Sequence, residues 1–269
     1  MLDVVFGQAS DPGRVRPHNE DAVGFFIPRS RQESRSRGWM FVVADGVGGL
    51  DLGELASAKA IEVITEEFAR SAEGTSLPSL LPSLIQQANS AVHDEGLHPD
   101  RRGRHMATTV VACVLRQDQA VIVHVGDSRC YQVRDGKAVQ LTRDHTWVSE
   151  QRKLGLITAA EAERSESRHV LTRSLGPELF VTPDTSSVSL KPGDVLVLCT
   201  DGLYDGLYPE DIARIASQDK DADAIARELV KYAVEVDGSD NATAQVIQVR
   251  SIEPMGMYRG RLYPLPIQP

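Results

Sequence analysis

Residues 41–49, with the sequence FVVADGVGG, decide the fold of this chain. The apolar run 41–44 leads directly into Asp45, and glycines follow at positions 46, 48 and 49. This pattern predicts a buried strand that ends at Asp45, followed by a backbone that turns sharply and can approach a ligand closely. A carboxylate beside a bare backbone carbonyl offers two oxygen ligands to a hard cation such as Mg2+ or Mn2+. The alternative is a simple hairpin, because Asp-Gly is a common turn dipeptide.

The composition fits one large globular domain. Of the 269 residues, 41% are hydrophobic, which is enough to bury a sizeable core. The net charge of −9 argues against nucleic acid as a partner. Cys113, Cys130 and Cys199 each lie in an apolar run, which predicts reduced and buried thiols. We find no leader pattern and no apolar run near the ~18 residues of a membrane span, so we expect a cytoplasmic protein without a membrane partner.

The spacing of apolar residues separates strands from helices. Strands are predicted near residues 2–6, 22–27, 108–115, 120–125, 128–134, 138–141, 195–199 and 244–249, and helices near residues 53–70, 78–94, 209–217 and 221–236. Residues 28–38 are polar and basic, and we expect a loop there. Long βαβ alternation is absent. We therefore predict an α+β fold in which two packed, mainly antiparallel sheets are flanked by helices, an αββα sandwich.

Two segments depart from this pattern. Residues 142–174, here called the flap, are charged and contain short helical patterns but few large apolar residues. They are expected to cover an edge of the fold rather than to build its core. Residues 251–269 are rich in Pro, Arg and Tyr and have no period, which indicates a tail that is packed on the surface or disordered. The domain itself is expected to span residues 1–250.

Acidic residues recur at the ends of apolar runs. The positions are Asp21, Asp45, Asp127, Asp201 and Asp240. The dipeptide Asp135-Gly136, in contrast, lies between two alternating strands and indicates only a hairpin. Several carboxylates cannot converge without a bound cation or raised pKa values. Since no His or Cys pair at ligand spacing competes for the role, the pattern favours a metal site built from carboxylates.

Seven ordered motifs resemble the PPM/PP2C metal-dependent protein phosphatases, in particular their bacterial serine/threonine branch. The motifs are RPHNED (16–21), ADGVGG with its continuation GELAS (44–57), TT (108–109), VGDSR (125–129), SLG (174–176), TDGLYD (200–205) and GSDN (238–241), and the resemblance covers about residues 5–250. It implies the PP2C-like sandwich and hydrolysis of phosphoserine or phosphothreonine in proteins. Val47 and Leu50 depart from the usual methionine and histidine, and Ala107 replaces the usual glycine before TT.

The resemblance also implies the metal ligands. Asp45 would bridge two Mn2+ or Mg2+ ions, and the Gly46 carbonyl would complete the coordination of one of them. Asp201 and Asp240 would hold the other ion. Asp127 would hold a weaker third metal together with Asp201.

Further roles are implied for four neighbouring residues. Glu20 and Asp21 would orient metal-bound waters or reach the metal, and Asn241 would steady Asp240 from outside the coordination sphere. Arg16 would grip the substrate phosphate, since a guanidinium can donate two parallel hydrogen bonds to it. The implied reaction is in-line attack of a bridging hydroxide without a phosphoenzyme. No C-x5-R nucleophile motif surrounds the cysteines, in agreement with this, and no general acid is assigned because Val47 cannot supply a proton.

Three functions remain to be compared. The resemblance implies phosphorylated proteins as substrates, with a serine/threonine kinase as a further partner, and we expect a monomer. A catalytically silent sensor or scaffold on the same fold would be expected to have lost Asp45, Asp201 or Asp240, and all three are present. The third possible function is a two-metal hydrolase that acts on small phosphate esters or on nucleic acid. The negative net charge and the lack of an aromatic, basic groove disfavour nucleic acid as its substrate.

Overall fold

A computed structural model describes residues 2–47, 52–101, 106–253, 255–258 and 261–264, the last two ranges by their backbone alone. Gly48 and Gly49, at the end of the 41–49 motif, and the following Leu50 and Asp51 lie outside the described residues. The apolar run before them forms a buried strand that ends at Asp45, as predicted.

Two five-stranded sheets form the centre of the molecule. The first sheet runs from β1 (Asp3–Asp11) through β10 (Ala242–Ser251), β9 (Val195–Cys199) and β6 (Arg129–Arg134) to β7 (Lys137–Gln140). The second runs from β2 (Asp21–Phe26) through β3 (Trp39–Asp45), β4 (Val110–Arg116) and β5 (Gln119–Val125) to β8 (Asp184–Ser189). Neighbouring strands are antiparallel throughout both sheets. The predicted sandwich is confirmed.

Helices cover the outer faces of both sheets. The described helices are α1 (Arg31–Ser36), α2 (Gly53–Arg70), α3 (Leu77–Gly96), α4 (Trp147–Lys153), α5 (Ala159–Glu163), α6 (Asp201–Tyr204), α7 (Pro209–Ala216) and α8 (Ala222–Val236), with a 3-10 turn at Pro99–Arg101. Helices α2 and α3 pack on the second sheet, and α7 and α8 pack on the first. Among the described residues, we find no helix whose length and apolar character would let it cross a membrane.

Successive side chains of strand β3 point alternately to the two faces of its sheet, and each face packs against a different layer. Met40 and Val42 face α2 and α3, whereas Phe41 and Val43 face the first sheet and pack with residues such as Leu198. Burying each such side chain contributes roughly 1.5–3 kcal/mol, so the alternation fixes which face lies against which layer. All three cysteines are free and buried, as predicted.

The structure corrects the prediction in two places. Residues 28–38 contain helix α1 rather than only a loop, because the Ser30 side chain accepts the Glu33 N–H and the Glu33 carboxylate accepts the Arg29 N–H. Strand β8 was not predicted, since its sequence DTSSVS has little apolar character and it lies at a sheet edge. In the predicted tail region after residue 250, β10 ends at Ser251, and β11 (Met255–Tyr258) pairs with β12 (Arg261–Pro264).

Candidate metal centre

Both sheets deliver acidic residues to one end of the sandwich. Asp21 begins β2 and lies directly opposite Asp45 at the end of β3. In the other sheet, Asp201 follows β9 and begins α6, while Asp240 lies just before the neighbouring strand β10. Asp127 occupies the connection between β5 and β6. Strand ends that meet at one edge therefore bring together carboxylates that are far apart in the chain.

The pKa shifts of Asp45 and Asp127 indicate that these carboxylates share one environment. Burial, followed by the charges of Asp201, Asp21 and Asp127, raises the pKa of Asp45 well above its ordinary value. Burial and then Asp201 also raise the pKa of Asp127, which is only 4% exposed. The group is thus poised either to hold protons or to bind cations.

Asp21 has the clearest unmet requirement for a ligand. Its Oδ2 accepts hydrogen bonds from Thr200 at 2.9 Å and from Thr243 at 2.5 Å. Its Oδ1 is shielded from solvent and has no hydrogen-bond partner within the described part of the chain. Burial raises the pKa of Asp21 to about 8 in spite of the two hydroxyl donors. A bound cation or a water would satisfy an unpaired carboxylate oxygen of this kind.

Gly46 lies where the backbone of two segments meets. A Cβ on Gly46 would come within 2.4 Å of the Gly53 carbonyl and 2.8 Å of the Glu20 carbonyl oxygen, so only glycine fits. The Gly46 N–H donates to the Glu20 carbonyl at 3.1 Å. The Thr108 hydroxyl and the Thr109 N–H both donate to the Asp45 carbonyl, at 2.7 and 2.8 Å, which fixes the strand end.

Arg16 reaches the centre through Asp240. Its Nη2 donates to Asp240 Oδ2 at 2.6 Å, while Asp240 Oδ1 accepts the backbone N–H of Asn241 at 2.8 Å. The two side chains are 37% and 30% exposed, so the pair faces solvent at the mouth of the site. The Arg16 guanidinium is therefore placed beside the carboxylates but points outward.

Asn241 organises the loop that carries Arg16. Its amide nitrogen donates to the carbonyls of Pro12 and His18 at 2.9 and 3.0 Å, and its Oδ1 accepts the Glu20 N–H at 2.8 Å. The buried side chain thus holds the 12–20 loop, and only its backbone contacts the Asp240 carboxylate. The Glu20 carboxylate lies beside Gly53, at the start of α2, and burial raises its pKa although Arg16 opposes the shift.

The structure adds a flap residue that the sequence did not indicate. His169 Nδ1 lies 3.4 Å from Asp201 Oδ2, and its Nε2 lies 3.1 Å from Asp205 Oδ2. Each of three residues offers one potential ligand atom, and these atoms lie within 4.8 Å of one another; the residues are His169, Asp127 and Asp201. Both carboxylates raise the pKa of His169 to about 10 by hydrogen bonding. The flap sequence around it has no period or motif that would have revealed this contact.

A second histidine cluster fixes the base of the flap. His145 Nδ1 accepts the Gly126 N–H at 3.1 Å, and its ring stacks on His124 with the centroids 4.7 Å apart. Its Nε2 lies 3.4 Å from Asp184 on β8 and 3.3 Å from Arg173. Burial, with His124 and Arg173 next, lowers the pKa of His145 to about 4. The cluster links the flap to the connection that carries Asp127.

The donor set fits hard divalent cations. It consists of carboxylate oxygens and a backbone carbonyl, the ligands that Mg2+ and Mn2+ prefer. The orphaned Asp21 oxygen and the raised pKa of Asp45 are both relieved by positive charge at this position.

Comparison with known proteins agrees with this arrangement. The family model for protein phosphatase 2C matches residues 17–237, and the chain belongs to that family. The serine/threonine phosphatase stp of Listeria innocua is 31% identical over 244 residues, which cover 89% of this chain and 93% of that protein. Such identity over nearly the full length extends the similarity beyond the motifs.

Solved structures show the same fold. The serine/threonine phosphatase of S. agalactiae aligns with a TM-score of 0.81 and 29% identity, covering 92% of this chain and 100% of that one. The catalytic domain of the phosphatase PstP, solved with two manganese ions, aligns with a TM-score of 0.78 and 31% identity over 93% of this chain and 100% of that domain. The expected family and fold are confirmed.

Proposed function

We propose that this chain hydrolyses phosphoserine and phosphothreonine in proteins at a centre of two Mn2+ or Mg2+ ions, with a weaker third ion beside it. Metal-dependent phosphatase activity follows from the family. The observation that carries the proposal is the convergence of Asp21, Asp45, Asp127 and Asp201 at one end of the sandwich, where burial, and then the charge of Asp201, raises the pKa values of Asp21, Asp45 and Asp127. Such a cluster is most stable with cations bound.

The proposed ligands are those that the family resemblance implies, and their positions at one end of the sandwich support them. Asp45 would serve both ions, the Gly46 carbonyl one of them, and Asp201 and Asp240 the other. Asp127 with Asp201 would hold the third ion. When bound, the divalent ions supply Lewis-acid activation of water and neutralise charge on the phosphoryl oxygens. Glu20 and Asp21 would hold water at the ions through hydrogen bonds.

Arg16 would bind the substrate phosphate. Its ion pair with Asp240 places a planar, permanently charged donor at the entrance, and its half-exposed position lets it exchange that partner for a phosphate. Asn241 supports this role by holding the loop on which Arg16 lies. We assign no residue as the proton donor to the leaving alcohol, because Val47 cannot supply a proton.

The silent scaffold is disfavoured by the same residues. A protein that only presents this surface would gain nothing from keeping buried carboxylates that repel one another, because each burial costs free energy. All three of Asp45, Asp201 and Asp240 are retained.

The remaining proposals concern the domain bounds, the cellular location, the oligomeric state and the partners of the protein. The phosphatase domain would span residues 1–250, with the flap at 142–174 and a tail at 251–269. We infer a cytoplasmic monomer whose substrates include phosphoproteins made by a serine/threonine kinase. The net charge of −9 supports the absence of nucleic-acid partners.

A single assay tests the function. Phosphate release from a phosphothreonine peptide is measured with Mn2+, with Mg2+ and with excess chelator. We expect turnover with metal and none with chelator. Absence of turnover with either metal would favour the scaffold, and equal turnover with chelator would exclude the metal mechanism.

A further inference from the structure

A closed ring of hydrogen bonds connects the backbone of Asp21 to its own carboxylate. The Asn19 Oδ1 accepts the Asp21 N–H at 3.1 Å, and the Asn19 Nδ2 donates to Ser10 Oγ at 2.8 Å. Ser10 Oγ lies 2.7 Å from Thr243 Oγ1, and Thr243 Oγ1 lies 2.5 Å from Asp21 Oδ2. Ser10 and Thr243 are opposite each other on β1 and β10, whereas Asp21 begins β2. The ring therefore joins the two sheets at the metal centre.

The chemistry of the groups fixes the direction of each proton in the ring. A backbone N–H can only donate, so the Asn19 atom that faces it is the amide oxygen, and the amide nitrogen points to Ser10. An ionised carboxylate can only accept, so the Thr243 hydroxyl gives its proton to Asp21 Oδ2. The proton between Ser10 and Thr243 must then come from Ser10. Every side-chain donor in the ring thus points toward the carboxylate.

Thr200 supplies a second proton to the same oxygen. Its Oγ1 accepts the Thr243 N–H at 3.0 Å, which leaves the hydroxyl proton for Asp21 Oδ2 at 2.9 Å. Both threonines are fully buried, so water does not replace these donors. Oδ2 therefore receives two donors, whereas Oδ1 receives none from the described residues. Turning the carboxylate would break both contacts, so the two hydroxyls fix the orientation of Oδ1.

Resting on the proposed function, we propose that Ser10, Thr200 and Thr243 are positioning residues of the metal centre. They hold Asp21 Oδ2 so that Oδ1 stays available to accept a hydrogen bond from a water held by the cations. A buried carboxylate oxygen without a donor requires such a partner. Groups that orient a metal site from outside the coordination sphere change metal affinity by about 10- to 100-fold. The ring should therefore control how tightly the centre binds Mn2+.

Mn2+ affinity tests the ring without any turnover. Thr243→Val replaces the hydroxyl by a methyl group of similar size, so Asp21 loses a donor while the packing is kept. The Kd for Mn2+, measured by calorimetry on the full chain, should rise about tenfold or more. Thr243→Ser keeps the hydroxyl and should bind Mn2+ like the wild type. Ser10→Ala should raise the Kd by a smaller factor, because Thr243 still has its own proton to donate.

Thr65→Val is the control for the loss of a threonine hydroxyl. The Thr65 hydroxyl donates to the Ile61 carbonyl at 2.8 Å within α2 and takes no part in the ring. This variant should keep the wild-type Kd for Mn2+. A Kd that is unchanged in Thr243→Val, or that rises as much in Thr243→Ser as in Thr243→Val, would overturn the proposal.

A double-mutant cycle determines whether Thr243 acts through Asp21. In Asp21→Ala the carboxylate is absent, so adding Thr243→Val should raise the Kd for Mn2+ no further. A hydroxyl that only stabilised the fold would not depend on Asp21 in this way. If the effects of the two substitutions multiply, Thr243 does not position Asp21 and the proposal is wrong.

The same titrations separate this proposal from the proposed function. Affinity that falls in Thr243→Val and returns in Thr243→Ser would support the ring even if no phosphate were released from a phosphothreonine peptide. Equal affinity in all variants, together with normal turnover, would refute the ring and leave the function standing. A wild-type chain that binds no Mn2+ would overturn both.

Discussion

The Arg16 guanidinium and the Asp240 carboxylate form an ion pair at 2.6 Å across 224 positions of the chain. The contact joins the loop after β1 to the residue before β10, two strands that are neighbours in the first sheet. The pair places the proposed phosphate-binding residue on a proposed metal ligand. Binding of a phosphate by Arg16 and binding of a metal ion by Asp240 would therefore each require this ion pair to break.

Replacing Arg16 by alanine should separate substrate binding from metal binding. KM for a phosphopeptide should rise about tenfold or more, because a charged hydrogen-bond partner of the phosphate is lost. Mn2+ affinity should stay equal or increase, since Asp240 no longer has a competing cation. Steady-state kinetics and calorimetric Mn2+ titration measure the two effects.

Arg35→Ala is the matched control for this change. Arg35 binds Glu253 at 2.7 Å, and the two side chains are exposed to 39% and 28%, close to the values of the Arg16 pair. It should alter neither KM nor Mn2+ affinity. A collapse of Mn2+ affinity in Arg16→Ala would show that Arg16 supports the metal site instead of the phosphate.

Replacing Asp45 by asparagine should change stability in opposite directions with and without metal. The neutral side chain removes a buried charge that Asp201 and Asp21 repel, so the metal-free protein should melt about 3 °C or more higher. The rise in Tm that Mn2+ causes in the wild type should disappear, because a shared ligand is lost. Thermal unfolding followed by circular dichroism, with chelator and then with excess Mn2+, gives both values.

Asp194→Asn provides the contrast for this experiment. Asp194 is also buried, but Arg134 and Gln132 donate to it at 2.6 and 3.0 Å. Its replacement should lower Tm with or without metal and leave the Mn2+-induced rise intact. A metal-free Asp45→Asn protein that melts below the wild type would contradict the view that carboxylate repulsion dominates at Asp45.

Asn241 and Asn89 offer a pair of equivalent buried amides. Each side chain makes three hydrogen bonds to a loop: Asn241 to Pro12, His18 and Glu20, and Asn89 to Gly176, Glu178 and Leu179. Alanine at either position should destabilise the fold by about 1–3 kcal/mol, because loop backbone groups lose their partners. Only Asn241→Ala should raise KM, since its loop carries Arg16. Urea unfolding measures the loss of stability, and phosphopeptide kinetics measure KM. Equal KM values in the two variants would show that Asn241 does not position Arg16.

His145 should make the protein sensitive to acid. Its pKa falls to about 4 in the folded state from about 6.5 in the unfolded state, where the ring is solvated. As pH falls from 6.5 toward 4, the unfolded state takes up a proton that the folded state rejects, so folding stability decreases by up to about 3 kcal/mol. Above pH 6.5 neither state is protonated at this ring, and the loss is absent.

The glutamine variant isolates this effect. The stability difference between His145→Gln and wild type, measured by urea unfolding of metal-free protein, should shift in favour of the variant between pH 7.5 and pH 5. His98→Gln, which replaces a histidine that is 56% exposed, should show no such shift. If the His145→Gln difference does not change with pH, the stacked ring does not control the acid response.

The parts of the site that the sequence predicted are those that depend on local patterns. Asp45 and Asp201 could be placed because each follows a short, continuous apolar run, and a buried strand must end where its apolar run ends. Neighbouring antiparallel strands then bring such ends together. Asp135 could be set aside by the same reasoning, and it forms a tight turn with a positive φ of 51°.

The parts that could not be predicted depend on tertiary contacts of polar residues. His169 reaches Asp201 because the two ends of the flap pair through Trp147 and Val170, a contact with no local signal. Strand β8 forms because β5 offers it backbone partners, although its own residues have little apolar character. The Arg16–Asp240 pair joins residues that no spacing relates.

The division of the carboxylates between the two sheets has a consequence for synthesis of the protein. Asp21 and Asp45 leave the ribosome early, whereas Asp201 and Asp240 emerge near the end, just before the strand that inserts between β1 and β9. A growing chain that stops short of β10 has an unfilled gap between β1 and β9 in its first sheet. The carboxylates of the two sheets can therefore be held together at one end of the sandwich only once the final central strand has been made.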